Sequence, residues 1–176
     1  MPQRANRFWT IFLTIVLVDV VTKRLAVSEL WPPHVPHRVI GDFLRFTLAF
    51  NPGGAMSLSL GPQSRWWFSL LAIGTLFVLA YIYKQTSPHD RVQMTSIALI
   101  CGGAVGNLLD RLRSARGVVD FIDIGIGTHR FFTFNIADVG VTIGTATLTW
   151  IFCTRASREE RRAHVIPPAG ALDEPN

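Results

Sequence analysis

Four apolar runs, each close to the length of a bilayer crossing, constrain this chain more than anything else in it. They cover residues 8–27, 66–83, 92–109 and 136–153, and a helix of about 20 apolar residues crosses roughly 30 Å of hydrocarbon. Unpaired backbone N–H and C=O groups are costly in hydrocarbon, so runs of this kind fold as helices. The apolar residues are clustered, not spread at amphipathic spacing, and with 176 residues, of which only 16% are charged, there is room for one compact unit. The expected fold is all-α and integral to the membrane, with four transmembrane helices in a single domain, 1–176.

The net charge of +5 would suit a nucleic-acid partner only if the arginines formed a stripe with interleaved aromatics. They flank the apolar runs instead. Arg4 and Arg7 precede the first run, Lys84 and Arg91 lie between the second and third, and Arg155, Arg158, Arg161 and Arg162 follow the last. With four spans these places share one side, and the positive-inside rule makes it the cytoplasm, with both termini there. The outer connections, 28–65 and 110–135, also carry arginines, but the even number of spans and the basic tail decide the orientation. The tail, 154–176, is expected to be disordered and cytoplasmic. A basic start and the small residues Ala26 and Ser28 imitate a cleavable signal peptide, but Asp19, Lys23 and Arg24 interrupt its apolar region, so the first run reads as an uncleaved span.

Carboxylates near a bilayer are costly unless paired, hydrated or needed. Asp110, Asp120, Asp123 and Asp138 crowd the stretch between the third and fourth runs. Asp120 leaves the third run after Val118 and Val119, and Asp138 lies in the first turn of the fourth, so both belong to one face of the membrane. Two facing acids can share a proton, one acting as base on water and the other as acid on a carbonyl, which is aspartic-protease chemistry. Asp19 and Lys23, four residues apart with the acid first, form an ion pair on one helical face. Asn107 and Arg111 are one turn apart, and Asp110 with Arg111 reads as a pair closing the polar end of the third helix. Asp123 either joins the site or faces water. The spacing of Gly102 and Gly106, repeated by Gly140 and Gly144, brings spans three and four close together.

These residues carry a family resemblance. GGAVGNLLDRL (102–112), VVDFID (118–123) and FNIAD (134–138) resemble the signature words of lipoprotein signal peptidases, also called signal peptidase II. Asp19, Thr22 and Lys23 resemble the family's D-x-x-T-K, and Asn51, Gly53, Ala55 and Met56 its N-x-G-x-A-F. Five words in family order make the match specific. The resemblance implies an aspartic endopeptidase of the bacterial cytoplasmic membrane that cuts prolipoproteins before a cysteine bearing a diacylglyceryl group. It gives Asp120 and Asp138 the catalytic roles and makes Asp19, Lys23, Asn51, Gly54, Asn107, Arg111 and Asn135 substrate-binding or site-organising. The chain departs from the pattern at Met56 (usually Phe), Pro52 (often Thr) and Val20 (often Gln). It also has one extra residue between Asp110 and Asp120, with Gly117 directly before the Val pair.

The outer connections carry strand signals. Trp31, Pro32, Pro33 and Pro36 stop the first helix. Residues 39–50 then alternate, with Leu44, Phe46, Leu48 and Phe50 on one face and Arg45 and Thr47 on the other, after a tight turn at Gly41 and Asp42. Asn51, Pro52, Gly53 and Gly54 form a turn. Residues 117–134 suggest a second strand pair, so the two connections would build a small extracytoplasmic β-cradle suited to a lipid-bearing substrate. Asn135 falls near the N-cap of the fourth helix.

The scattered histidines and the two cysteines have no metal or redox spacing, so no metal and no cofactor is expected. The expected partners are prolipoproteins and membrane lipids, with no nucleic acid, and the protein is expected to be a monomer. A serine nucleophile paired with Lys23 lacks any supporting spacing. The rival from another class is a small proton-coupled transporter or channel component that uses Asp19, Lys23, Asp120 and Asp138 as relays. Against it, the acids gather at one end of the spans, and the opposite halves of spans two to four lack ionisable residues.

Overall fold

The computed structural model describes residues 2–54 and 58–165. Its order is α1 (Pro2–Glu29), β1 (Pro36–Ile40), β2 (Leu44–Asn51), α2 (Ser64–Gln85), α3 (Arg91–Arg113), β3 (Val118–Ile126), β4 (His129–Arg130) and α4 (Ile136–Val165). Three of the helices, α2, α3 and α4 as far as Arg158, are long and apolar enough to cross a membrane. α1 has the length, 28 residues, but carries Asp19, Lys23 and Arg24 in its second half.

α3 is the centre of the bundle and packs on all three other helices. Its glycines set the approach. A Cβ on Gly103 would lie 2.3 Å from the Ala137 carbonyl oxygen and one on Gly106 2.5 Å from Asp19 Oδ2, while Gly144 of α4 sits against Ile100 and the Ser96 carbonyl. Backbones this close leave no space for a side chain. The expected α3–α4 contact is present, but it runs through Gly103 and Gly106; Gly102 faces Phe12 and Ile15 of α1. One apolar core joins Leu79, Ile97, Ile100, Cys101 and Leu148. α2 packs on α3 and meets α1 where Tyr83 touches Phe8.

The four strands form one antiparallel sheet in chain order. Its tight turn at residues 41–43 divides the alternating stretch expected over 39–50 into β1 and β2, with Gly41 at φ +51. β2 pairs with β3, Asn51 opposite Val118 and Ala49 opposite Asp120, with a bulge between Phe46 and Ala49. Leu48 is fully buried with Ala26 and Phe121 in a second core beneath the sheet, so the outer connections do build one cradle and it rests on the end of α1.

The disordered tail expected from residue 154 is corrected in part. α4 continues unbroken to Val165, because 154–165 is rich in Arg, Ala and Glu, which favour helix, and contains no proline. Residues 166–176, like Met56, lie outside the described residues.

Candidate active site

The site is built around the start of α4. The Asn135 side chain accepts from the Asp138 backbone N–H at 3.0 Å, and Asp138 Oδ2 accepts from the Asn135 N–H at 3.1 Å. This reciprocal capping box fixes the first turn. The next otherwise orphaned N–H, of Ala137, donates to Asp19 Oδ1 of α1 at 2.9 Å. Asp138 is thereby aimed by the helix start itself.

Asn135 also reaches the second acid. It is fully buried, and its Nδ2 lies 2.6 Å from Asp120 Oδ1 and 3.1 Å from Asn107 Oδ1. Asn107 Nδ2 donates to Asp138 Oδ1 at 2.7 Å, and Asn51 Nδ2 to Asp120 Oδ2 at 3.3 Å. Each oxygen of each acid therefore has an N–H donor, and two asparagines tie the acids together. Both acids open into a cavity of about 390 Å³ whose walls include Asn51, Phe131, Phe132, Phe134, Val139 and Ile143.

The two acids differ in their surroundings. Asp120 is only 3% exposed, whereas Asp138 is half-buried. Burial in low dielectric pushes the Asp120 carboxyl up, and the neighbouring Asp138 charge pushes it the same way. Hydrogen bonds from Asn135 and Asn51 hold it back, leaving it at about 7.

Behind the acids, Lys23 is buried with three acceptors for its three ammonium hydrogens: Asp19 Oδ2 at 2.8 Å, Asp110 Oδ2 at 2.9 Å and Asn107 Oδ1 at 2.9 Å. A buried charge is tolerated when it is paired and hydrogen-bonded in this way. The expected pairing of Asp110 with Arg111 does not form. Asp110 turns to Lys23 and to the Val119 N–H, at 3.2 Å, while Arg111 donates to the Gly53 carbonyl at 3.0 Å and to its own helix at Asn107. Adjacent helical residues point about 100° apart, so one faces α1 and the other the turn after β2. Asp123 is buried, with Thr47 and Arg130 as partners at 3.0 and 2.6 Å, and so pins the sheet.

The turn after β2 is closed by Asn51, whose Oδ1 accepts from the Gly53 N–H at 3.0 Å. A Cβ on Gly54 would lie 2.3 Å from the Phe68 ring, and Gly117, at φ +89, abuts the Asn51 carbonyl from the other side. The turn is thus wedged between α2 and the start of β3, and Asn51 points at Asp120 as a result.

All nine residues singled out in the sequence gather at this end of the bundle. Sequence reasoning missed Asp110 as the second partner of Lys23, although its three-residue spacing from Asn107 marks a shared face. The phenylalanines expected in the lipid-suited cradle are placed as cavity wall at Phe131, Phe132 and Phe134. Among the described residues the polar partners of Lys23 include no serine, and Ser59 and Ser64 bond to each other, so the serine–lysine reading gains no support from them; Ser57 lies outside the described residues. Among the described residues no group of three or more His, Cys, Asp or Glu is placed to hold a metal ion.

A bundle of apolar helices that carries paired acids at one end under a small sheet is the architecture of a membrane enzyme. The backbone is similar to a solved bacterial membrane enzyme, with a TM-score of 0.77 and 30% identity over 86% of this chain and 90% of that one. The family model described as signal peptidase (SPase) II matches residues 11–154, and the chain belongs to that family. It is 34% identical over 158 residues to a lipoprotein signal peptidase of Teredinibacter turnerae, covering 88% of this chain and 92% of the relative. It is 36% identical to one of Burkholderia thailandensis, covering 80% and 83%. Nothing in these relatives supports the transporter reading.

Proposed function

We propose that Asp120 and Asp138 are the catalytic pair with which this multi-pass bacterial membrane peptidase removes the signal peptide of prolipoproteins. The observation that carries the reading is their meeting in one cavity, tied through Asn135 and Asn107, with the more buried acid carrying the raised pKa. Below about pH 7 Asp120 holds the shared proton and Asp138 acts as the base. Asp138 takes a proton from a water as its oxygen attacks the scissile carbonyl carbon, and Asp120 gives its proton to the carbonyl oxygen. The resulting diol collapses when Asp138 returns its proton to the leaving nitrogen. The C–N bond breaks, a diol hydroxyl proton goes back to Asp120, and the pair is restored.

The exposed rings of Phe131 and Phe132, 59% and 49% accessible at the cavity wall, suit a substrate whose cysteine carries a diacylglyceryl group. α1 serves as the fourth span: its 28 residues reach about 42 Å, and its buried charges, Asp19 and Lys23, are spent within the protein on each other, Asp110 and the start of α4. The termini then lie in the cytoplasm, the sheet and acids on the outer face, and the protein works as a monomer.

The test is cleavage of a diacylglyceryl-modified prolipoprotein peptide by purified protein. Asp120→Asn and Asp138→Asn should each lower the rate by about 10³-fold or more while the protein stays folded in detergent. Retained cleavage in both would make the acids structural, and a wild type active only on unmodified peptide would remove the lipid from the reading.

A further inference from the structure

At the end of the bundle opposite the acids, the start of α1, the α2–α3 connection and the start of α3 enclose a crevice of about 390 Å³. Arg4, Arg7 and Arg91 line it together with Pro88, His89 and Met94, and among the described residues no carboxylate does. Asp90, next in sequence, is already engaged: it caps α3 through the Gln93 N–H and pairs with Arg155. None of the three lining arginines forms an ion pair among the described residues. Arg4 is held by the Tyr83 carbonyl and stacks 4.2 Å from the centroid of that ring, yet its Nε is buried with no partner among the described residues. Arg7 and Arg91 are exposed and Arg4 is half-buried, and the three guanidinium side chains line one crevice, where an anion with several acceptor oxygens would offset their mutual repulsion.

We infer that this crevice binds the phosphate of an anionic glycerophospholipid. Guanidinium forks match phosphate oxygens in geometry as well as charge. The place argues for a lipid over a soluble anion, because helix ends lie at headgroup depth and basic pockets between membrane helices take acidic headgroups. Exposed apolar side chains neighbour these arginines in sequence: Val92, next to Arg91, is 53% exposed, as is Trp9, two residues after Arg7. The inference rests on the membrane placement of the helices and not on the assignment of the acids.

The experiment is lipid retention by native mass spectrometry of the full chain, exchanged into nanodiscs of phosphatidylglycerol or of phosphatidylcholine. Each arginine is expected to add about fivefold preference for the anionic lipid, so Arg4→Gln with Arg7→Gln and Arg91→Gln should lose it by on the order of a hundredfold. The double variant Arg7→Gln with Arg91→Gln, which leaves the Arg4 contact with Tyr83 intact, should lose roughly twenty-five-fold by the same rule. Peptide cleavage in detergent, unchanged in these variants, reports that they are folded, and failure of the catalytic assignment would show there and not in retention. A charge-matched control, Lys84→Gln with Arg158→Gln and Arg161→Gln, should keep the preference. Equal loss in the control, no loss in the double variant, or displacement of the lipid by inorganic phosphate alone would each overturn the inference.

Discussion

Asn135 does three things with one carboxamide: it caps α4, donates to Asp120 and joins Asn107. Asn135→Ser keeps a good N-cap but removes the donor to Asp120. Cleavage should fall by about tenfold to a hundredfold with a loss of stability of about 1–3 kcal/mol, from the buried acceptors left without their donor. Since that donor lowers the Asp120 pKa, its loss should also move the alkaline limb of the activity profile to higher pH, which a purely structural defect would not do. In the wild type, kcat/KM should decline as pH rises through about 7, because the proton that Asp120 must give is lost there. The same group acts on stability with a definite sign. It binds its proton more tightly folded than unfolded, so it opposes folding increasingly between pH 3.8 and about 7. Asp120→Asn should therefore stabilise the inactive protein at pH 8 by ~2–4 kcal/mol, and by little near pH 3, as read from denaturation midpoints in detergent at the two pH values.

Between elements, the strongest polar link is Lys23, which joins α1 to α3 through Asp110 and Asn107. Lys23→Met leaves the buried Asp19 and the half-buried Asp110 without their cation and should cost ~3–5 kcal/mol. Adding Asp19→Asn and Asp110→Asn to that variant should recover part of the loss, and simple additivity would mean that the three do not act as a unit. Gly103→Ala drives a methyl into the backbone of Ala137 and should cost ~1–3 kcal/mol, with a larger fall in cleavage as Asn107 moves away from Asp138. The sequence already showed much at this scale. Asp19 and Lys23 sit at helical spacing, Asp138 falls in a first turn, and the Asn51 turn follows an alternating strand; each is a local pattern with a local cause. The partner of Asp110 was legible only in part: its spacing from Asn107 marks a shared face, but whether it turns to Arg111 or Lys23 depends on which helix packs beside α3. The exchange of Gly102 for Gly103 at the α4 contact has the same origin: spacing names a stripe of small residues, and only the packed neighbour selects the face.

For the whole molecule, the placement of sheet and acids at one end and of the arginine crevice at the other predicts a fixed orientation. With Cys153 replaced by serine, cysteines introduced at Ser87 and Ser157 should react with an impermeant thiol reagent only from the cytoplasmic side, and one at Ser59 only from outside. Reaction of Ser87 and Ser59 sites from the same side would contradict four spans. The site itself draws on α1, the turn after β2, α3, β3 and α4, and its keystone, Asn135, comes late in the chain. A nascent chain that has emerged only as far as α3 already holds Asp19, Lys23, Asn51 and Asn107, yet it has no base and no cap to gather them around. On the proposed roles of Asp120 and Asp138, the ribosome must add the first turn of the last helix before proteolysis is possible, and a half-made copy would be harmless to the membrane it is being threaded into.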